Sequence, residues 1–593
     1  MKLNLILQSV VIVLMLFLVN SLAYSTIVDV SFEKIRLTPP LCADVFDFVV
    51  MGDNRPSEPG NIPDVFVRMI EEWNILKPSF IIDVGDLILG GSAHLLDEQW
   101  NEFKSLVNKI ESPFFPVPGN HDISDRLSEE IYKSRIGPTC YAFSYGNSRF
   151  IILNSEEPGQ IDSLSEEQID WLKKELANIK SKHIFVFLHK PYFQTKPEKW
   201  STVESLFLPF PSVYVFAGHD HRYLYYGRKE GIHYIISAGG GAEIRRDEEE
   251  GGFHHYLLVK VRGAQVSWSV IRPGNILPMD VVTQEKVERR ENWREIFRFP
   301  PVECGWGEPV KTNIIMNINN PFNEDAEVKI DWSIPQSWQV NTTLPELFTL
   351  RKGGVAPHSL SLTWIPTTDF KIYPVPEMKV WIKQGNEEIS FSSSLMISPV
   401  ISIPELPDSI LIDGDLSDWN FVPSYPVLYP ANFDVFQNTQ DLQANWRGGW
   451  NKNGVYMAVE VLDNEFYQPY SGDIVWCADN LELFLGEWEW SLSLTSKGTE
   501  VFMYEGPNRE EETLNEVVKL AVNRKGNYIY YEVLFPPSEV APLSLSKGER
   551  VTFSIIVNDL DSQGPLNNRH WLEFTPGAGS GREDFPRCVL VLK

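Results

Sequence analysis

Within the first 225 residues, apolar runs keep ending in glycine followed by a metal-binding side chain. "VFDFVVMGDNR" delivers Asp53, "FIIDVGDLILGG" Asp86, "FFPVPGNHD" Asn120 and His121, and "VYVFAGHDHR" His219 and His221. "KHIFVFLHKPYF" ends the same way on His189, without the glycine. β-Branched and aromatic runs of this length read as buried strands. In open α/β sheets the strand ends share a crevice that holds ligands. Glycine at these points lets the backbone turn tightly and brings the ligand close. Imidazoles at positions i and i+2 of an extended segment share one face, so His219 and His221 make half of a metal site. Carboxylate, amide oxygen and imidazole together suit Mn, Fe or Zn better than Ca or a thiolate zinc site. A single Gly-Asp is an ordinary strand-to-turn element, whereas five such endings in order are a pattern.

Between these runs lie helical stretches. "FVRMIEEWNILKP" has helical spacing and stops at Pro78, and "SLSEEQIDWLKKELANI" is amphipathic, with Ser163 as the expected cap and Glu166 three places on. Alternation of strand and helix predicts an α/β domain. From about residue 273 the texture changes. A charged stretch, "PMDVVTQEKVERRENWREIFRFPP", predicts a linker helix, and short strands with Pro, Asn and Gly turns then predict a sandwich of about a hundred residues. A Pro-rich joint, "ISIPELPDS", leads to a last strand-rich segment dense in Trp and Tyr. The organisation read from sequence is a signal peptide at 1–23, an α/β domain at 45–272, a linker at 273–299, an Ig-like spacer at 300–402 and a second all-β sandwich at 403–593.

The bulk numbers narrow the partners. With 80 acidic and 52 basic residues among 593, the net charge is −28. That argues against binding a nucleic-acid duplex, whose affinity rests on basic patches. A small anionic substrate stays open, because a bound metal reverses the local field. At the N-terminus, Lys2 precedes an apolar run of about fifteen residues that ends at Ser21-Leu22-Ala23, which fits a cleavable export signal; a spanning helix needs about 20 apolar residues. No later segment is apolar enough to span, so the protein is expected to be secreted, periplasmic or at the cell surface. The five cysteines are too few for a disulfide scaffold, although an oxidising compartment would permit Cys42–Cys140 and Cys477–Cys588 pairs.

The order GD–GD–GNHD–H–GHDH resembles the calcineurin-like metallophosphoesterases, which include purple acid phosphatases, protein phosphatases and nucleotidases, over roughly residues 45–272. The resemblance implies a β-sandwich flanked by helices and a dinuclear centre of two divalent or trivalent ions. It implies Asp86 as the bridging ligand, Asp53 and His221 at the first site, and Asn120, His189 and His219 at the second. It further implies hydrolysis of a phosphate ester by metal-bound hydroxide, with His121 beside the leaving oxygen, Asp122 fixing its orientation, and Asn120 and His121 contacting substrate. Two departures matter. Relatives commonly place His where this chain has Arg55, so the first site has three protein ligands, completed by water or Asn54, and is expected to be weak or empty. Leu89 stands where purple acid phosphatases have tyrosine, so no tyrosinate–iron chromophore is expected. Arg55 can grip phosphate with its planar fork or make a structural salt bridge. Lys190, Tyr192, Phe193 and His94 are candidates for the pocket wall.

The last segment, with "ILIDGDLSDWNF", "GVYMAVEVLDNEF" and "DNLELFLG", resembles the family 9-like carbohydrate-binding modules, with Trp419 one place early in the opening pattern. Polysaccharide binding needs aromatic faces that stack on sugar rings. Trp446, Trp450, Trp476, Trp488, Trp490 and Trp571 are available, of which about two are expected on a binding surface. The whole reads as an exported phosphoesterase acting on a small phosphate ester or a phosphorylated surface substrate, monoester or diester, with a targeting module. The alternative is a non-catalytic surface or adhesion protein on a degenerate phosphoesterase fold.

Overall fold

The computed structural model describes residues 27–28, 35–56, 61–91, 93–177, 179–366, 371–431, 440–507, 512–561, 569–580 and 587–593. The expected signal at 1–23 lies outside the described residues. The chain divides into two compact units, Met1–Val287 and Glu288–Lys593.

In the first unit, the sequence alternation becomes two six-stranded sheets. One runs Asn275–Pro278, Gln265–Arg272, Tyr256–Arg262, Val45–Met51, Ile81–Asp83, Phe114–Pro116. The other runs Tyr223–Lys229, Ile232–Ser237, Val213–Ala217, His183–Phe187, Ser148–Ile152, Tyr141–Tyr145. The strands that carry the Gly-Asp and Gly-His endings are the parallel ones. Val45–Met51, Ile81–Asp83 and Phe114–Pro116 run together, as do Ser148–Ile152, His183–Phe187, Val213–Ala217 and Ile232–Ser237. Parallel strands bury both faces, and Val45–Met51 shows how. Phe46, Phe48 and Val50 join one core with Phe80, Phe143, Phe150 and Phe185, while Val49 and Met51 join another with Phe66, Trp73 and Trp100. The rings of the first core stack, with Phe150 and Phe185 centred 5.0 Å apart and Phe48 and Phe80 5.2 Å apart.

Helix Asp64–Leu76 buries Phe66, Met69, Ile70 and Trp73 and ends at Lys77, which takes a left-handed conformation before Pro78. Helix Glu166–Leu176 is capped by Ser165, whose side chain accepts the Gln168 N–H. The cap therefore lies two residues beyond Ser163, because the Ser165 N–H and hydroxyl are themselves fixed by Glu157.

The second unit contains the expected spacer sandwich. Its three-stranded sheet is Val310–Asn319, Val355–Trp364 and Trp338–Thr342; its four-stranded sheet is Leu347–Leu350, Ala326–Ser333, Glu377–Gln384 and Glu387–Ser394. Residues 402–403, where the sequence reading divides the spacer from the last module, lie inside strand Ile397–Ile403. This strand pairs on one side with Val302–Gly305 and on the other with Cys588–Leu592 of the C-terminal sandwich. The C-terminal sandwich faces a ten-stranded sheet with a five-stranded one, the latter comprising Tyr425–Val427, Leu442–Asn451, Gly454–Asp463, Tyr528–Phe535 and Lys519–Lys525. All five cysteines carry free thiols. Among the described residues no helix is long and apolar enough to cross a membrane.

Glu532 ties down the opening motif of the C-terminal sandwich. Its buried carboxylate accepts the N–H groups of Asp413 and Gly414 at 2.9 and 2.5 Å and Trp419 Nε1–H at 2.7 Å. Removing a buried acceptor strands each donor at a cost of about 1–3 kcal/mol. Glu532→Ala is expected to destabilise the second unit by about 3 kcal/mol or more. Denaturant unfolding followed by hydrogen–deuterium exchange would read this, and an unmoved midpoint would contradict it.

Candidate metal centre

The centre is assembled from the ends of parallel strands in both sheets of the first unit, and its loops hold one another by backbone hydrogen bonds. The Asp53 N–H donates to the Gly85 carbonyl, the Gly218 N–H to the His189 carbonyl, and the Ala242 N–H to the Asp53 carbonyl. Of the seven non-glycine residues with positive φ among the described residues, four lie here: Asp53 at 58°, Asp86 at 61°, His219 at 72° and His221 at 44°. Such conformations cost of the order of 1–3 kcal/mol each and gather at functional sites. Close packing explains two glycines. A Cβ on Gly119 would come within 2.2 Å of the Asp86 nitrogen, and one on Gly218 within 2.6 Å of Asp53 Oδ2.

Asp86 is buried at the middle. Its Oδ1 lies 3.3 Å from His189 Nε2 and accepts the His121 N–H at 3.0 Å; its Oδ2 faces Arg55 Nε at 3.5 Å and His121 Nε2 at 3.9 Å. On one side, His189 Nε2 and His219 Nδ1 approach Asn120 Oδ1 at 3.0 and 2.9 Å and each other at 3.3 Å. On the other side, Asp53, Asp86 and His221 converge with one donor atom each within 4.8 Å, and His221 Nε2 lies 3.5 Å from Asp53 Oδ1. The structure thus brings Asp53, Asp86, Asn120, His189, His219 and His221 together, with Arg55 and His121 at the same carboxylate.

The tautomers are set by carbonyls, which can only accept. His189 Nδ1–H donates to the Val84 carbonyl at 2.9 Å, His221 Nδ1–H to the Glu243 carbonyl at 2.8 Å, and His121 Nδ1–H to the Leu89 carbonyl at 2.7 Å. In the neutral imidazole this leaves the Nε2 lone pair of each ring turned toward the centre. Burial, and then Arg55, lower the pKa of His221 and of His121 to about 4; burial, and then His189, push His219 well below its ordinary value. Burial, and then the charge of Asp86, raise the Asp53 carboxyl. Burial also opposes ionisation of Asp86, but His189, His121 and Arg55 hold it well below the usual carboxylate range.

With His189 in its neutral form, lone pairs of His189 Nε2, Asn120 Oδ1 and Asp86 Oδ1 meet at hydrogen-bond distance. A cation resolves that contact. With metal–ligand bonds near ~2.1 Å, neighbouring ligand atoms stand ~3.0 Å apart in an octahedron and ~3.4 Å apart in a tetrahedron, and the separations found match. The carbonyl partner on the far nitrogen is also how metal-binding histidines are held. The residues fit a divalent ion.

Several sequence expectations are corrected. Asp122 makes no contact with the His121 ring, which the Leu89 carbonyl orients. Instead its buried carboxylate accepts four backbone N–H groups: Leu87 and Ile88 on Oδ1, Asp86 and Gly119 on Oδ2. It joins the GDLI loop to the GNHD loop. Asn54 is buried, with neither amide atom hydrogen-bonded, and lines a cavity with Ile62, Phe66, Leu87 and Phe103. Tyr192 and Phe193 are core residues, the Tyr192 hydroxyl donating to the Ser155 carbonyl. Lys190 stays at the rim, paired with Glu156 at 2.9 Å. The His94 side chain lies outside the described residues. Asp220, between the two histidines, turns away to Arg222 and Arg246 at 2.6 and 2.8 Å.

In the second unit, Trp446, Trp450, Trp488 and Trp490 are buried, whereas Trp476 and Trp571 are half-buried and flank the Arg569 guanidinium, with ring centres 4.7 and 4.9 Å from it. The sequence reading missed a buried acidic cluster in the same sandwich. Asp441, Asp559 and His570 form one group that could hold a metal ion, and Asp463, Asp479 and Asp559 another. Burial, and then the charge of Asp559, raise Asp463 to about 6. No motif announces this cluster, because its members come from five separate strands or loops.

Residues 44–223 match the family model for calcineurin-like phosphoesterase, and residues 412–577 that for carbohydrate family 9 binding domain-like. Among curated relatives, a probable glycerophosphodiester phosphodiesterase GpdQ of Arcobacter nitrofigilis is 30% identical over 123 residues, 19% of this chain and 42% of its own length. The human serine/threonine-protein phosphatase CPPED1 is 28% identical over 171 residues, 25% of this chain and 54% of its own. The chain spans about half the length of the curated relatives it matches. A solved family 9 carbohydrate-binding module from Caldicellulosiruptor kristjanssonii in complex with cellotriose aligns at 17% identity with a TM-score of 0.25, covering 33% of this chain and 94% of that one.

Asp122→Ala would strand four buried N–H groups at the centre's two tightest loops. We expect the first unit to lose about 3–5 kcal/mol, the scale for removing one partner of a buried charged contact. Hydrogen–deuterium exchange should show the loss first at residues 86–90 and 119–123, and unchanged protection there would contradict it.

Proposed function

We propose, for a chain that carries a calcineurin-like phosphoesterase domain and a family 9-like carbohydrate-binding domain, that the protein is an exported, metal-dependent phosphoesterase. In this reading the second module brings it to carbohydrate-bearing surfaces. The observation that carries the proposal is the convergence of His189 Nε2 and His219 Nδ1 on Asn120 Oδ1, at 3.0 and 2.9 Å, with Asp86 Oδ1 3.3 Å from His189 Nε2.

Asp86, Asn120, His189 and His219 would hold a Mn, Fe or Zn ion, and Asp53, Asp86 and His221 form the neighbouring donor set. A bound ion supplies Lewis acidity toward phosphoryl oxygens and makes water more acidic. The chain's own residues do the rest. Arg55, with its planar cationic fork, steers and grips a phosphate anion. Its charge, together with that of a bound ion, would make the cleft attractive to anions despite the chain's net charge of −28. His121 turns Nε2 toward Asp86 Oδ2 and the space beside it, where it can hold or pass a proton to the departing oxygen. The Leu89 carbonyl keeps that nitrogen facing inward. The substrate class is a small phosphate ester or a phosphorylated surface component.

In the C-terminal module, Trp476 and Trp571 are the two aromatic side chains of the six candidates with exposed area. They would supply the stacking faces for sugar.

Protein stripped with chelator and reloaded with Mn, Zn or Fe should hydrolyse p-nitrophenyl phosphate or bis-p-nitrophenyl phosphate, and the better ester distinguishes monoesterase from diesterase. His219→Ala or Asn120→Ala should abolish turnover, and His121→Ala should lower kcat by ~10²–10⁴. Wild-type protein inert toward both esters with every metal would reject the reading. For the second module, the full chain should be retained on immobilised glycans and Trp571→Ala should not, whereas equal retention of both would remove Trp571 from the binding face.

A further inference from the structure

The metal-dependent reading leaves Arg55 in an odd place. The two oxygens of the central Asp86 carboxylate serve different neighbours. Oδ1 faces His189 and the second donor set, while Oδ2, the oxygen a first-site ion would need, faces the Arg55 guanidinium at 3.5 Å. Arg55 is anchored there. Its side chain is 11% exposed, its N–H donates to the Asp86 carbonyl at 3.0 Å, and Nη1 donates to the Pro56 carbonyl at 3.2 Å. Nε is buried, with Asp86 Oδ2 as its charged neighbour and no hydrogen bond. Asp53, another member of the first donor set, already has a partner. Both oxygens of Asp53 accept the His219 N–H at 3.0 Å, so Asp53 serves to fix the loop that presents His219.

Charge points the same way. The guanidinium is a permanent cation, buried beside two carboxylates, Asp53 and Asp86. One divalent ion at the second set, together with Arg55, brings this cluster to +1, enough to receive a phosphate anion. A second divalent ion would bring it to +3 and would sit against the guanidinium. We propose that Arg55 stands in for the first ion. The protein binds one metal tightly, at Asp86, Asn120, His189 and His219, and the guanidinium supplies the other positive charge, with its free edge aimed at phosphate oxygens. This rests on the metal-dependent reading above.

The test counts ions and does not depend on turnover. Full-length protein is stripped, reloaded with Mn(II), dialysed, and measured by metal analysis and electron paramagnetic resonance. A His189→Ala/His219→Ala variant serves as the baseline for ions held elsewhere in the chain. Wild-type protein should exceed the baseline by about one ion per chain and show only magnetically isolated Mn(II). Arg55→His, which exchanges the fixed cation for a neutral ligand, should exceed it by about two and show an exchange-coupled pair; Arg55→Ala, in case the first variant misfolds, should move in the same direction. An exchange-coupled pair in the wild type, or an excess of two ions there, overturns the proposal, as does an Arg55→His protein that folds and stays at one. No excess over the baseline in any form would instead bring down the metal-dependent reading itself.

Discussion

A carboxylate buried where two sheets end governs this protein's first unit. Asp86 sits at the meeting of the parallel strands, 1% exposed, with a histidine, an arginine and a second carboxylate around it. A charge so placed is costly unless it is paired, so everything near it is arranged to pair it. Asp122 gathers four N–H groups and thereby sets the loop on which Asp86 stands. Gly119 lets the neighbouring loop pass against it, because no Cβ could fit there. Four residues hold left-handed backbone conformations around it, a strain that a stacked aromatic core and a continuous backbone network can sustain.

The chemistry follows from that arrangement. Each histidine at the centre is anchored through one nitrogen to a carbonyl or by its backbone to a carboxylate, which leaves the other nitrogen aimed inward. The centre is therefore a cluster of carboxylate, amide and imidazole donors that could hold a metal ion. The second unit works differently. Of the six tryptophans that the sequence offered for sugar binding, four are spent on the sandwich interior, and the two that reach its surface hold an arginine between them.

Much of this was legible in the sequence. The strand-then-ligand endings supplied all six candidate metal-ligand side chains, and the segments ILIDGDLSDWNF, GVYMAVEVLDNEF and DNLELFLG carried the resemblance to carbohydrate-binding modules. Asp122 was singled out for the wrong contact. Its place in GNHD points to His121 next door, but a buried carboxylate seeks the largest number of N–H donors, and these lay on a loop more than thirty residues earlier. Asn54 was an equally natural candidate by adjacency, and the structure buries its amide without a hydrogen bond. The acidic cluster of the second unit left no trace in any local pattern, because its members are spread over more than a hundred residues.

The order of residues by itself determined which atoms were available: carboxylates, an amide and imidazoles at strand ends, glycines where backbones must touch, and an arginine where relatives carry histidine. Tertiary structure alone decided how those atoms point. The tautomer of His189 depends on a carbonyl 105 positions away, that of His221 on Glu243, and the partner of Arg55 on the loop that carries Asp86. Direction is a property of three-dimensional packing, since a side chain's free nitrogen or oxygen turns toward whatever its distant neighbours leave unpaired.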